Sequence, residues 1–292
     1  MSDPPEPLRV SAVIVSYRTG PALWDCLDSL WQDAAIADIV VVDNGNDSDT
    51  VHKLADLARN RRIQLVSGHG NIGFAAGANL GVRSALSDQI LFLNPDAAIV
   101  SGSAAALVAA LHSAKRPSIA GGRLIGKDGK EQRGARRDEV TLWSAFVSFS
   151  GLSLFECVSE NFRDVNRARD PLPDKSIPVS AVSGALMLIS RADFEAIGGF
   201  DEGYFLHVED IDICRRVRAA GGAVIFTPFA TARHVGGTSA APKVLVEWHK
   251  ARGLWRYFRK FSQGLGSRAI ADVFGLALIF ALPFRAFILG KR

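Results

Sequence analysis

Cysteine is scarce in this 292-residue chain: Cys26, Cys157 and Cys214 are odd in number and form no CxxC pair. That excludes a disulfide framework and a Cys-based structural zinc site, and it suits reduced thiols in a cytosolic protein. Repeats and low-complexity tracts are also lacking. A hydrophobic fraction of 48% with 27 glycines describes a compact globular chain rather than a disordered one. The opening MSDPPEPLR has no basic-then-apolar order of a secretory signal, so the protein is expected to work inside the cell. A basic core is missing as well. Residues 243–292 hold ten Lys and Arg against two acids, Glu247 and Asp272, a net +8 that leaves −4 for the rest of a chain whose formal charge is +4. A nucleic-acid-binding core would itself be basic, so nucleic acid is excluded as a partner, and the positive tail is expected to face an anionic membrane surface.

What the chain does have is a repeated strand–helix period. An apolar run Val10–Val15, a helical pattern after Gly20 and Pro21 through Trp31, and a strand Ile39–Val42 are followed by a helix near Thr50–Arg59 and a strand Ile63–Val66. After a Gly-rich turn come a helix Ala75–Leu86 and a strand Ile90–Leu93. Strands spaced by single helices predict right-handed crossovers and an α/β fold with a mostly parallel sheet. Polar residues close each strand, where open α/β sheets place their ligand crevice.

Gly68, Gly70 and Gly73 fit G-x-G-x-x-G, with Asp96 further on, which alone would suggest a dinucleotide-binding dehydrogenase. The turn follows the third strand instead of opening the fold, and its small residues Ala75 to Ala78 would let a helix start approach any phosphate or ribose. Asn94-Pro95-Asp96 ends the next strand; it is either a turn or a single acid placed to hold a divalent cation. His234, in RHVGG after the strand-like run Ala223–Phe226, is a second candidate ligand or a structural histidine.

The run Gly198–Gly222, GGFDEGYFLHVEDIDICRRVRAAGG, reads as a helix opening on Glu209 and Asp210 and stopping at Gly221. Acids early and bases late suit the helix dipole. One reading is an amphipathic helix with Ile211, Cys214 and Val217 in the core and Asp212–Arg216 as a surface pair. In the other, Phe200, Tyr204 and Phe205 wall off a carboxylate beside His207, raising its pKa as a general base near neutral pH needs.

VIVSYR, VVVDNGN, GNIGFAAGANLGV, FLNPDA, SGALMLISR, GGFDEGYFLHVEDIDICRR and RHVGG together resemble family 2 glycosyltransferases, most of all the rhamnosyltransferase-like branch of bacterial polysaccharide synthesis. The resemblance spans about residues 8–238. It implies a GT-A fold, a nucleotide-diphosphate-sugar donor, Mg2+ or Mn2+, and transfer with inversion to a lipid-linked or oligosaccharide acceptor. L-rhamnose from dTDP-rhamnose is the sugar implied; galactofuranose or an N-acetylhexosamine from a UDP donor, or a non-catalytic sugar-binding module, are the alternatives. By the same resemblance Ser16, Tyr17 and Asp43 cradle base and ribose, Asn71, Phe74 and Asn79 cover the nucleotide, and Gly184 and Ala185 lie beside the donor sugar. Asn94 and Asp96 stand at the D-x-D position, Asp96 and His234 hold the metal, Asp210 is the catalytic base and Glu209 its neighbour. Two departures are visible: Arg18 stands where an Asn is common, and NPD has one acid fewer than D-x-D.

Between these motifs, GGRLIGKDGKEQRGARR carries a hairpin-type Lys-Asp-Gly turn and then Arg133, Arg136 and Arg137. That cluster reads as a solvated face or as a contact for the diphosphate of a lipid-linked acceptor. Leu142–Phe155 is apolar and aromatic, and Arg163–Pro178 reads as a mobile loop. Residues 1–238 are expected to form the transferase domain and 239–292 a helical appendage: an amphipathic helix over 242–262, then an apolar stretch 269–289 interrupted by Asp272, Pro283 and Arg285. Those interruptions predict a tail lying in the membrane interface on the cytoplasmic side rather than crossing it. The alternative is a dimer-forming helical arm.

Overall fold

The computed structural model describes residues 8–239 and 241–289, the side chain of Leu289 excepted. The first half alternates as the period requires: β1 (Val10–Ser16), α1 (Ala22–Trp31), β2 (Ile36–Asp43), α2 (Ser48–Arg59), β3 (Gln64–Val66), α3 (Phe74–Ser84) and β4 (Gln89–Leu93). Then come β5 (Ala97–Ile99), α4 (Ser103–His112), β6 (Ser118–Ile125), β7 (Arg136–Arg137), α5 (Leu142–Ser150), β8 (Ile177–Pro178), β9 (Ala181–Val182) and β10 (Leu186–Ser190). α6 (Arg191–Ala196), α7 (Glu209–Ala219), β11 (Ala223–His234), α8 (Lys243–Lys260) and α9 (Leu265–Leu289) complete the chain.

Among the described residues one sheet runs β3-β2-β1-β4-β10-β6-β11-β5, with β8 on β11 and a separate β7–β9 ladder. β1 to β4 pair in parallel, β10 runs antiparallel between β4 and β6, and β11 pairs with β6 in parallel. All seven residues of β1 are buried, as a strand covered on both faces must be. Its alternate side chains feed two cores: Val10, Ala12 and Ile14 one, Val13 and Val15 the other. The carboxyl ends of β1, β2 and β4 open on one crevice, which brings Tyr17, Asn44 and Asp96 together on its wall.

The small residues of α3 have a packing purpose. A Cβ at Gly81 would lie 2.5 Å from a Val13 methyl, and one at Gly77 would lie 2.9 Å from a Val15 methyl, so α3 presses its backbone onto β1. Gly81→Ala should therefore lower unfolding stability by about 1–3 kcal/mol despite the better helix former; a denaturant midpoint measures it.

A third core joins the preceding part of the chain to the last two helices. Val140, Tyr204 and Val208 pack with Ala251, Leu254, Tyr257 and Phe258 of α8 and with Ala271, Leu278 and Leu282 of α9. α8 is the expected amphipathic helix. The 269–289 stretch is not broken at Asp272 or Pro283: α9 runs through both. Asp272 faces α8, where it accepts from Trp255 Nε1 at 2.7 Å and pairs with Arg259 at 3.3 Å. Residues 265–288 are long and apolar enough to cross a membrane, with mean hydropathy 1.8 over a window only 22% buried.

Candidate active site

At the crevice lies a cavity of about 760 Å³. Tyr17, Asn71, Phe74, Asn94, Asp96 and His234 line it. Asp96 follows β4 and His234 ends β11, and they meet because β11 pairs antiparallel with β5 in the register His234–Ala97. His234 Nε2 is 3.1 Å from Asp96 Oδ1 and 3.4 Å from Asn94 Nδ2. Gln132 clamps the histidine: its Oε1 lies 2.7 Å from Nδ1, and its Nε2 donates to the His234 carbonyl at 2.7 Å. Thr238 Oγ1 donates to Asp96 Oδ2 at 3.0 Å. Burial alone would raise the Asp96 carboxyl, but His234 and Thr238 outweigh it and hold it below its ordinary value.

Nδ1 is committed to Gln132 and Nε2 to Asp96, so a cation bound there would replace the Nε2 proton and be held by that nitrogen and the Asp96 oxygen, 3.1 Å apart. Among the described residues no three His, Cys, Asp or Glu side chains converge. A cation there would have two protein ligands and would complete its shell from water and phosphate oxygens, the usual habit of Mg2+.

Other expected donor contacts are placed behind this wall. Asp43 Oδ1 accepts from the amides of Gly45 and Asn46 and from Asn46 Nδ2, so it shapes the loop after β2. Ser16 Oγ donates to Asn46 Oδ1 in the same loop. Asn79 ties α3 to the loop before α7: it receives from Phe200 N and donates to the Phe200 carbonyl, both at 2.9 Å. Asn71 stays at the cavity, held by Asn44 Nδ2 at 3.0 Å. Ala185 is at the head of β10, where its carbonyl accepts from Asn94 N. The Gly-rich turn does not offer an open helix start. Gly73 has φ +84°, a Cβ there would meet the Phe205 carbonyl at 2.5 Å, and that carbonyl takes the Phe74 amide at 2.8 Å. Together with its place at the sheet edge, this removes the dinucleotide fingerprint.

The start of α7 carries the second constellation. Glu209 and Asp210 are both buried. Asp210 Oδ2 accepts from Arg137 Nη1 at 3.0 Å and from Gly184 N at 3.3 Å, and Oδ1 accepts from Ile211 N. Glu209 Oε2 has no hydrogen-bond partner among the described residues. Burial, then the Asp210 charge, pushes its carboxyl up to about 8. His207 is pushed down to about 4 by burial and then by the Lys250 charge, so it is neutral at physiological pH. His207 and Val208 both have left-handed backbones, φ +68° and +76°, a strained conformation for a β-branched residue. α8 holds them there: a Cβ at Gly253 would lie 3.1 Å from both the His207 carbonyl and a Val208 methyl. Phe200 is buried in the sheet core against Phe92 and Phe194, and Tyr204 packs in the core that contains Val208, whereas Phe205 reaches the cavity and stacks on His249, 4.4 Å between centroids.

Two expectations about charged pairs are corrected. Asp212–Arg216 is not a surface pair: Asp212 is fully buried, and the core face of α7 is Ile213, Cys214 and Val217, with Ile211 only partly covered. Of Arg133, Arg136 and Arg137, only Arg133 is on a solvated face, its side chain 62% exposed. Arg136 is fully buried against Glu131 at 2.8 Å and donates to the carbonyls of Asp170 and Pro171. Arg133 pairs with Asp164, and Arg137 with Asp210. These bonds also fasten down the segment read as a mobile loop. Gln132, Thr238 and His249 escape sequence reasoning, as does the pairing of Arg137 with Asp210, because each meets its partner only through long-range packing.

Residues 11–197 match the family model described as glycosyl transferase family 2, and residues 170–236 match that described as N-terminal domain of galactosyltransferase. The chain is 27% identical over 72% of its length to a low-salt glycan biosynthesis hexosyltransferase, Agl10, of Haloferax volcanii, and spans 61% of that relative. It is 26% identical to the N-acetylglucosaminyl-diphospho-decaprenol L-rhamnosyltransferase of Mycobacterium tuberculosis, covering 76% of this chain and 74% of the relative. With the rhamnosyltransferase WbbL of Escherichia coli the identity is 28%, over 77% and 83%. Among solved structures, GalNAc-T7 with UDP, GalNAc and Mn2+ superposes with TM-score 0.60 at 15% identity, over 93% of this chain and 55% of that one. The Pyrobaculum calidifontis mannosyltransferase PcManGT with GDP-Man and Mn2+ gives 0.58 at 17%, over 97% and 74%. These likenesses establish the GT-A fold.

Proposed function

The chain belongs to glycosyl transferase family 2, and on that premise we propose that it is an inverting glycosyltransferase. It would move a hexose, L-rhamnose from dTDP-rhamnose, onto a lipid-linked or growing saccharide in cell-surface polysaccharide synthesis. The observation that carries this reading is the pairing of Asp96 with a Gln132-clamped His234 on the same cavity that His207 reaches from the start of α7. The rhamnosyl donor is supported by the names of the Mycobacterium and Escherichia relatives, and the lipid-linked acceptor by that of the former.

Asp96 and His234 would hold the divalent cation, which supplies positive charge to the departing diphosphate. Tyr17 and Asn71 line the donor side. Asp210, oriented by Arg137 and the Gly184 amide, would take the proton of the acceptor hydroxyl as it attacks the anomeric carbon opposite the nucleotide. Titrating the protein with dTDP, UDP, GDP and NADH, with and without Mn2+, tests this. Metal-dependent binding of dTDP, lost in Asp96→Asn, is expected; binding of NADH alone would overturn the transferase reading. A second reading, a UDP-hexose donor, is favoured by the galactosyltransferase-type match over residues 170–236, and UDP binding in place of dTDP would select it.

The tail would keep the enzyme peripheral on the inner face of the cell membrane. Phe280 and Phe284 are 74% and 65% exposed on α9, away from the buried Leu278 and Leu282. Changing both to Glu should shift the protein from the membrane to the soluble fraction; unchanged sedimentation would count against α9 as the contact.

A further inference from the structure

Two cations share the cavity with Asp96 and His234. Lys250 of α8 and Arg285 of α9 both line it. Lys250 Nζ lies 5.6 Å from the centroid of the Phe149 ring of α5, and its one nearby acid is Glu247, at 3.9 Å. Arg285 pairs with no carboxylate among the described residues. Arg133 and Arg137 stand close enough that, after burial and against Glu247, the charges of Arg137, Arg285 and Arg133 pull Lys250 below its ordinary value. Arg137 is on Asp210, Arg133 on Asp164 and Lys250 on Glu247, which also lines the cavity, so the unmatched charge there belongs to Arg285. Lys250 lies close enough to His207 for its charge to lower that imidazole, and Arg137, which acts on Lys250, is the partner of Asp210. In an inverting transfer the acceptor occupies the base side and the nucleotide diphosphate the metal side.

α9 is two-faced at this point. Arg285 and Ala286 reach the cavity, while Phe284, Phe287 and Ile288 are exposed. An anion at Lys250 and Arg285 would thus sit beside an apolar helix face. We propose that Lys250 and Arg285, with Arg133 and Arg137 behind them, form a subsite for the diphosphate of a polyprenyl-diphosphate acceptor whose hydrocarbon leaves along α9. The proposal rests on the transferase reading above and deepens it.

The test is equilibrium binding to the full chain, with Mn2+ and a mixture of dTDP, UDP and GDP present to fill the donor side. The ligands are geranylgeranyl diphosphate, geranylgeraniol and inorganic pyrophosphate. The lipid diphosphate should bind at least tenfold more tightly than the alcohol and than pyrophosphate. Lys250→Met with Arg285→Gln should remove roughly 10- to 100-fold of that affinity, the range for one or two lost charge-assisted hydrogen bonds, and leave nucleotide affinity unchanged. Lys250→Arg should restore most of what Lys250→Met loses, which a merely unfolded variant would not. Wild-type affinity in the double variant overturns the proposal. So does displacement of the lipid diphosphate by the nucleotides, which would make this a donor site, and so does pyrophosphate binding as tightly as the lipid. The metal-dependent nucleotide titration above reports on the transferase reading separately: its failure would sink that reading, whereas wild-type lipid-diphosphate affinity in the double variant would sink only this proposal.

Discussion

Asp210→Asn is expected to lower turnover by about 10²- to 10⁴-fold, the span assigned to a positioned general base, while nucleotide affinity stays at the wild-type value. The amide keeps the shape of the carboxylate and one acceptor for the Ile211 amide, while its Nδ2 would face the Arg137 and Gly184 donors, so the unchanged nucleotide affinity is what separates lost basicity from a lost fold. Glu209→Gln is the control next door. Because burial and the Asp210 charge raise Glu209 to about 8, its carboxyl is already protonated at neutral pH, and glutamine imitates that state. Turnover of Glu209→Gln at pH 7 should remain within roughly threefold of wild type, well short of a general-base loss. Equal losses in the two variants, read from initial rates, would remove Asp210 from the role of base.

The same raised carboxyl predicts a pH signature. A group raised from its ordinary 4.5 to about 8 in the fold contributes stability that is fully present below 4.5 and lost as pH rises through 8. Glu209→Gln has no such loss. Its denaturant midpoint should overtake the wild-type midpoint progressively between pH 5 and pH 9, and parallel curves would show that Glu209 ionises freely.

Local pattern carried the sheet and the ends of its strands. The βα period located β1 to β4, and the polar residues closing β1, β2 and β4 did turn out to face one crevice. It could not say which of those residues point into the crevice. Asp43 was legible as a polar strand end, but the loop after β2 consumes one of its oxygens, a fact set by backbone amides two and three residues on. Helix α7 was legible from its acids, bases and closing glycine. What orients its carboxylate was not: Arg137 lies 73 residues before Asp210, just as Gln132 lies 102 before His234. Small residues misled in the opposite direction. The small residues Ala75 to Ala78 look like a phosphate cradle, yet Gly77, like Gly81 one turn on, is required by the approach of α3 to β1. Sequence shows that a backbone must come close to something; only the packing shows to what.

The appendage boundary raises the same question with larger energies, and Asp212 answers it. This carboxylate is fully buried and is shared by three elements. Oδ2 accepts from Arg216 at 2.6 Å within α7, while Oδ1 accepts from Lys260 at 2.7 Å on α8 and from the Tyr204 hydroxyl at 3.2 Å. Lys260 also reaches Asp201 at 2.7 Å, where Arg256 joins it at 2.8 Å. Asp212→Ala would leave two cations facing a void, and breaking a buried pair in this way costs about 3–5 kcal/mol. The same loss should raise KM or lower kcat, because the strained His207–Val208 turn lies between Tyr204 and Asp212 and depends on α8 for its shape. Lys260→Met should cost less, since Arg216 remains, and a double-mutant cycle with Asp212→Asn should show coupling of roughly 0.5–3 kcal/mol. Acid should weaken the same link. Burial alone would raise Asp201, but Lys260, Arg256 and the Gly203 amide hold it at about 2, so its contribution is present above its ordinary 3.8 and lost as pH falls through 2. If Lys260→Met were silent and a chain ending before Lys243 folded and turned over normally, α8 would be a detachable anchor. Strong coupling would instead make it a wall of the catalytic site.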